Sequence, residues 1–187
     1  MKPVLFSHES AHKHQVPQGH PERPQRMKAL LSVLDERDDK WHLLRAPRAS
    51  RPQLQLVHRE SYLDWIYGQA DVAEDEEQLV RLDPDTWAGP DSLEAALRGA
   101  GAACAGIDSL MTDGVLRVFS AMRPPGHHAE PDRAMGFCLF SNAAIAAKYA
   151  RDKYGLNRIA VLDFDVHHGN GTQAAFYEDR DLFYASS

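Results

Sequence analysis

The segment VLDFDVHHGNGTQAAF, Val161 to Phe176, places two aspartates, two histidines and two glycines directly behind a run of strand-forming residues. Carboxylates and imidazoles are costly to bury unless something pairs with them. In an extended strand the side chains alternate, so Asp163, Asp165 and His167 face one way and Phe164, Val166 and His168 the other. Oxygen and nitrogen donors gathered at the carboxyl end of a strand stand where open α/β sheets build their sites. Two carboxylates so close repel each other unless a cation or a proton intervenes. Carboxylate together with imidazole suits zinc, iron or manganese. A plain Asp–His hydrogen-bonded pair closing a strand is the alternative. The metal is favoured because the alternation, the strand end and Gly169 and Gly171, which let the chain turn sharply away, all coincide.

A second cluster, RPPGHH from Arg123 to His128, also ends an apolar run. Histidine is the side chain best suited to move protons near neutral pH. His127 and His128 could be further metal ligands or a general-base pair, and spacing does not decide between them. A third set, His8, His12, His14 and His20, precedes and surrounds Pro17 and Gly19. The i, i+4 spacing of His8 and His12 would suit a metal on a helix, but the context predicts a loop with structural or rim-forming histidines.

Elements that could hold these residues are legible on either side. PVLFSH (3–8), LRVFSAM (116–122), RIAVLDFD (158–165) and LFYASS (182–187) read as buried strands. Helices are expected over 24–37, 55–68 and from Pro90 to Met111, the last with Asp91 as N-cap and an apolar face through Leu93, Leu97, Cys104, Ile107 and Met111. Two more are expected over 141–155, with Ser141 as cap and Gly155 as stop, and over 172–179. Apolar strands alternating with helices imply an α/β fold, with a mostly parallel sheet covered on both faces and no internal domain boundary.

Composition narrows the function classes. With 187 residues, 43% hydrophobic and 26% charged, the chain reads as one globular domain or part of one. No apolar run is long enough to span a bilayer, and the start MKPVLFSHES lacks a secretion signal. Cys104 and Cys138 form no C-x-x-C pair, which points to a reducing cytoplasm. A net charge of −6 argues against direct nucleic-acid binding, and the acidic run from Asp71 to Gln78 reads as a solvated face. Nothing in the sequence signals an oligomeric state.

RPPGHHAEPDRAMGFCLFSN followed by VLDFDVHHGNGTQAAF resembles the zinc-dependent histone deacetylase and acetylpolyamine amidohydrolase family, of class II-like, bacterial type. GHPERPQRMKAL, VHRESYLDWI and LDPDTWAGPDSLEAAL agree with it in order. The resemblance implies the arginase/deacetylase three-layer α/β/α sandwich. It implies zinc ligation by Asp165 and His167, with His127 and His128 as the tandem acid/base pair. Asp163 would pair with His127 and, with Ser186 and backbone atoms of Asp165, His167 and Ser187, hold a structural monovalent cation, usually potassium. Gly136 and Phe137, with Cys138 beside them, would line a tunnel around the acyl-lysine chain. Asp85 would hold the substrate backbone at the rim, and Arg26 would line an internal channel for acetate. The substrate would be acetylated lysine, an acetylated polyamine or a small acetylated amine.

The family's third zinc ligand and its oxyanion-stabilising tyrosine or histidine come from later strands. The expectation is therefore that residues 1–187 are the amino-terminal part of a single deacetylase domain, with its C-terminal strands missing and little or no activity alone. The competing expectations are an arginase-like binuclear manganese hydrolase and a non-catalytic module that binds acylated ligands or a partner chain.

Overall fold

A computed structural model describes residues 2–35 and 40–187. Strand β1 (Val4–Ser7) lies between β2 (His42–Arg45) and β5 (Val118–Ala121), parallel to both. A second parallel pair joins β6 (Ile159–Asp163) to β7 (Leu182–Ser186), with Asp163 opposite Ser186. Between β2 and β5 in sequence, β3 (Val80–Asp83) and β4 (Thr86–Ala88) form a separate antiparallel hairpin. The fold class is thus α/β with mostly parallel pairing, as the alternation implied, although the parallel strands fall into two sheets.

The helices are α1 (Ser10–Lys13), α2 (Gln25–Asp35), α3 (Arg51–Gln55), α4 (Glu60–Asp75), α5 (Ser92–Thr112), α6 (Asn142–Tyr154) and α7 (Asn170–Phe176). Helix α5 buries small residues, among them Ala95, Ala96, Ala100 and Gly106, with Leu97 and Cys104. This corrects the expected larger apolar stripe: Met111 is 43% exposed, and Ala and Gly positions let neighbouring backbone approach instead. At Gly101 a β-carbon would sit 2.1 Å from the Pro47 carbonyl oxygen. Leu54, Leu63, Ile66, Phe140, Ile145 and Phe176 complete the main core around α5.

Several boundaries differ from expectation. The helix expected over 55–68 is two helices, α3 and α4, separated by the turn at Leu56–Arg59. Part of the helix expected over 24–37, residues 36 and 37, lies outside the described residues. Helix α6 runs to Gly155, which takes the left-handed conformation (φ 67°) that ends helices, as read. Asp91 and Ser141 stand at the cap positions but make no side-chain capping bond.

Of the strands expected to be buried, β1 is, with Val4, Leu5 and Phe6 all at 4% exposure or less, but the others are more open. Leu116 is 90% exposed and Phe119 40%; on the other sheet Leu162 is 70% and Phe183 60% exposed. Ile159 and Val161 pack on the core from the opposite face of β6. Strands β5, β6 and β7 therefore each cover only one face, whereas β1 is packed on both, with Val4 and Phe6 in one cluster and Leu5 in another.

Candidate active site

Strand β6 ends at Asp163, and Asp165 to His167 form a bend, not the extended continuation read from the sequence. Asp165 and His167 nevertheless turn into one cavity of about 390 Å³, along with His127, His128, Gly136, Phe137, Asp85 and Arg26. The bend is held locally. The N–H of Asp165 donates to Asp163 Oδ1 at 3.2 Å, and that of His167 donates to Asp165 Oδ1 at 2.8 Å. Phe164, beside the bend, is 92% exposed.

Asp163 sits behind the cavity and is the anchor of its wall. Its Oδ2 accepts from His127 Nδ1 and from the Tyr184 hydroxyl, each at 2.9 Å. Partial burial pushes the Asp163 carboxyl upward, but the bonds from His127, Tyr184 and the Asp165 amide outweigh it and hold it below the ordinary carboxylate range. Asp165 is also held low, chiefly by the amide of His167, against a smaller burial effect. Both side chains are therefore carboxylates at neutral pH.

Gly169 and Gly171 were expected to permit a sharp turn, yet neither has a positive φ. They are required by space. A β-carbon on Gly169 would lie 2.4 Å from Asp163 Oδ2 and 2.6 Å from the Tyr184 hydroxyl. The first amides of α7 close on the other histidine loop, since the N–H groups of Gly171 and Thr172 donate to the His127 carbonyl at 2.9 and 3.1 Å.

That arrangement brings the two sequence motifs together. The His127 and His128 rings lie with centroids 4.0 Å apart and planes tilted by 45°, and His128 meets His167 edge-on at 6.0 Å. His127 has a carboxylate partner, whereas His128 Nδ1 faces Asn170 Oδ1 at 2.7 Å. Asn170, Tyr184 and Glu130, whose Oε1 accepts from Asn170 Nδ2 at 2.7 Å, were not singled out in the sequence. The only sequence signal for Asn170 was its place at the start of α7, three residues after His167.

The wall opposite is a tight turn. Met135 and Cys138 exchange backbone hydrogen bonds, and the residues between them, Gly136 and Phe137, have φ of 54° and 69°. A two-residue loop with both central φ positive is the type I′ arrangement. Phenylalanine rarely adopts it, and strain of this kind collects at functional sites. The turn is pinned where the Phe137 N–H donates to Thr86 Oγ1 at 2.9 Å. A β-carbon on Gly136 would meet His128 Cδ2 at 2.3 Å. Gly136→Ala is therefore expected to displace His128 and to cost about 1–3 kcal/mol beyond the left-handed penalty. Gly155→Ala, with nothing within 4 Å, should carry only that penalty, about 1–2 kcal/mol. Urea unfolding of both variants checks the ordering.

Asp85 stands at the rim, where its carbonyl accepts from His20 Nε2 at 3.0 Å, and His20 lies edge-on to Phe137. Arg26 lines the cavity too, but its side chain is 62% exposed, more open than an internal channel implies. Ser186 lies outside the cavity, opposite Asp163 on β7.

The amino-terminal histidines do not gather at the site. His8 precedes α1 and His12 lies within it, in a segment that is helical where a loop was expected. His14 is buried behind the cavity, with Nδ1 2.7 Å from Ser92 Oγ and Nε2 3.5 Å from Glu22. Glu22 is wholly buried and forms a bidentate pair with Arg123, at 2.5 and 2.6 Å. Arg123 also donates to the carbonyls of Ala11 and His14. The first residue of RPPGHH is thereby clamped to the amino-terminal loop.

Asp165 Oδ1 and His167 Nδ1 are 3.2 Å apart. Two ligands each about 2.0–2.1 Å from a shared tetrahedral ion would be separated by roughly 3.3–3.4 Å, so this pair fits zinc. Among the described residues no group of three or more His, Cys, Asp or Glu side chains is placed to hold a metal ion. The pair offers two donors, and a catalytic zinc site generally takes three protein ligands.

The chain resembles known proteins over most of its length. Residues 20–187 match the histone deacetylase domain. A histone deacetylase-like amidohydrolase of Pseudomonas aeruginosa is 41% identical over 170 residues, covering 90% of this chain and 43% of that protein. The polyamine deacetylase HDAC10 of Mus musculus is 39% identical, with 88% of this chain and 25% of that one covered. The HDA15 HD domain superposes with a TM-score of 0.90 at 31% identity, covering all of this chain and 54% of that one. The chain spans half or less of the length of these curated relatives.

Proposed function

Because the chain belongs to the histone deacetylase family, we propose that it carries the proton-transfer pair and two zinc ligands of a hydrolase that cleaves acetyl amides. The substrate class is acetyl-lysine, an acetylated polyamine or a small acetylated amine. The observation that carries this reading is the meeting of His127 and His128 with Asp165 and His167 in one cavity.

Asp165 and His167 would hold the zinc. The chemistry such an ion supplies when bound is polarisation of the acetyl carbonyl and acidification of water. One histidine of the pair takes the water proton and returns it to the leaving amine. His128 is assigned that exchange because its Nδ1 faces a neutral side-chain amide, while His127 Nδ1 is tied to the Asp163 carboxylate. Gly136 and Phe137 would flank the aliphatic stem of the substrate, and Asp85 would hold its backbone at the rim. Arg26 is assigned to the exit path of acetate. Asp163, Ser186 and the neighbouring backbone carbonyls would hold a structural potassium ion; the pairing of Asp163 with Ser186 across β6 and β7 supports that placement.

Residues 1–187 are proposed to be the amino-terminal part of the catalytic domain. With two ligands, turnover should fall far below the usual 1–10³ s⁻¹ or so of enzymes. The two buried free cysteines support a cytoplasmic setting. Among the described residues no helix is long and apolar enough to cross a membrane.

Hydrolysis of an acetyl-lysine peptide and an acetylated polyamine by the chain, with and without zinc, tests the proposal. Any turnover should require zinc and be lost in His128→Ala. Zinc-independent hydrolysis, or hydrolysis that survives His128→Ala, would contradict it.

A further inference from the structure

We infer that Glu130 is a positioning residue that sets which ring nitrogen of His128 carries hydrogen, acting through the side-chain amide of Asn170. The inference rests on reading His128 as a base, but it concerns a hydrogen-bond direction that can be observed without turnover.

The chain of contacts is short. Glu130 Oε1 is 2.7 Å from Asn170 Nδ2, and Asn170 Oδ1 is 2.7 Å from His128 Nδ1. An amide offers an acceptor at one end and donors at the other, and a carboxylate has no hydrogen to give. Facing Glu130, the amide must therefore present Nδ2 to it. Its oxygen is left toward the imidazole, so Nδ1 of His128 must bring the hydrogen. The lone pair of the neutral ring then lies on Nε2. With the amide reversed, its oxygen would oppose the carboxylate and both good contacts would be lost.

Glu130 is itself fixed. Its N–H donates to the Arg133 carbonyl at 2.9 Å, and its carboxylate lies 3.9 Å from the Arg133 guanidinium. Asn170 Nδ2 has a further contact, 3.3 Å to the Met135 sulfur, a much weaker acceptor.

His127 needs no such relay. Asp163 is an acceptor whichever way its carboxylate turns, so it fixes the His127 Nδ1 hydrogen directly. The two rings reach the same tautomer by different routes, and the relayed route keeps a full negative charge one amide away from His128.

The test is long-range ¹H–¹⁵N spectroscopy of the histidine rings in the metal-free, ¹⁵N-labelled chain at about pH 8, above the ordinary histidine range. His128 should resonate with Nδ1 protonated and Nε2 bare. In Glu130→Ala the tautomer ratio should move about fivefold toward the Nε2–H form, the worth of one ordinary hydrogen bond. Asn170→Asp combined with Glu130→Ala should restore the Nδ1–H form, because a carboxylate needs no orienting. His127 should not change in any of these variants. A wild-type His128 with Nε2 protonated would overturn the inference. So would a Glu130→Ala ratio equal to wild type, or a Glu130→Ala/Asn170→Asp double variant that fails to hold Nδ1–H. These readings do not depend on zinc or on hydrolysis, so they stand or fall separately from the deacetylase proposal.

Discussion

Glu22→Leu is expected to destabilise the chain by about 3–5 kcal/mol, because it leaves the Arg123 guanidinium buried without its counter-charge. Glu22 is fully buried, Arg123 is 3% exposed, and the two share a bidentate contact. The cost of removing either partner comes from the uncompensated charge that remains. Replacing both, as Glu22→Leu with Arg123→Met, should recover part of the loss, since apolar pairs of similar volume often do as well as buried ion pairs, while the Ala11 and His14 carbonyls are left without their donor. Urea unfolding of the two single variants and the double variant measures this directly. Equal losses in all three would show that the pair contributes through packing alone. The single variants should also disturb the His127 and His128 ring signals. Arg123 begins the loop that carries them, and its remaining bonds to the Ala11 and His14 carbonyls cannot hold it alone.

Acid should begin to destabilise the chain well above the pH at which its carboxylates titrate. Burial, with help from Arg123 and His20, lowers the His14 pKa from 6.5 to about 3. Burial lowers that of His58 to about 4, where its Nε2 accepts the Ser141 N–H at 2.9 Å. Both rings are neutral in the folded chain, while in the unfolded chain they take up protons near pH 6.5. Between those values the unfolded state binds more protons, so stability is intact above about pH 6.5 and falls as the pH falls. Two such groups give a slope of about 2.7 kcal/mol per pH unit, and a loss of about 6 kcal/mol between pH 6.5 and 4. That is comparable to the whole stability of a domain, about 5–15 kcal/mol. His58→Gln, which keeps an acceptor for Ser141 but does not titrate, should lower the slope by about one proton. A free energy of unfolding that stays flat from pH 6.5 to 5 would contradict the assignment.

Much of the fold was legible where local chemistry and tertiary context agree. Helix α6 is bounded by Ser141 and Gly155 and its alanines are buried, so its limits follow from the residues themselves. Strand β2 was missed because His42 and Arg45 frame only two apolar residues, and Leu43 is 63% exposed. The hairpin of β3 and β4 was missed because its register shifts between Arg81 and Asp83, which spoils the alternation. The turn between α3 and α4 is stabilised at a distance, by the Arg59 amide donating to the Pro131 carbonyl.

The site divides the same way. Asp163, Asp165 and His167 could be picked out because they crowd one short segment, and His127 and His128 because they are adjacent. The residues that orient them could not be. Tyr184 reaches Asp163 from the next strand, Glu130 acts through Asn170, and Glu22 meets Arg123 across 101 residues of sequence. Each reads locally as an ordinary surface or strand residue, and only the fold gives it a partner.

Zinc titration of the ¹⁵N-labelled chain is the most direct test of whether Asp165 and His167 form half of a metal centre. The first equivalents should perturb Nδ1 of His167, the ring nitrogen that faces Asp165 at 3.2 Å, and this tightest binding should vanish in Asp165→Ala and in His167→Ala while surviving in His12→Ala. First binding at His12 or another distant histidine, unchanged when Asp165 or His167 is removed, would contradict the assignment.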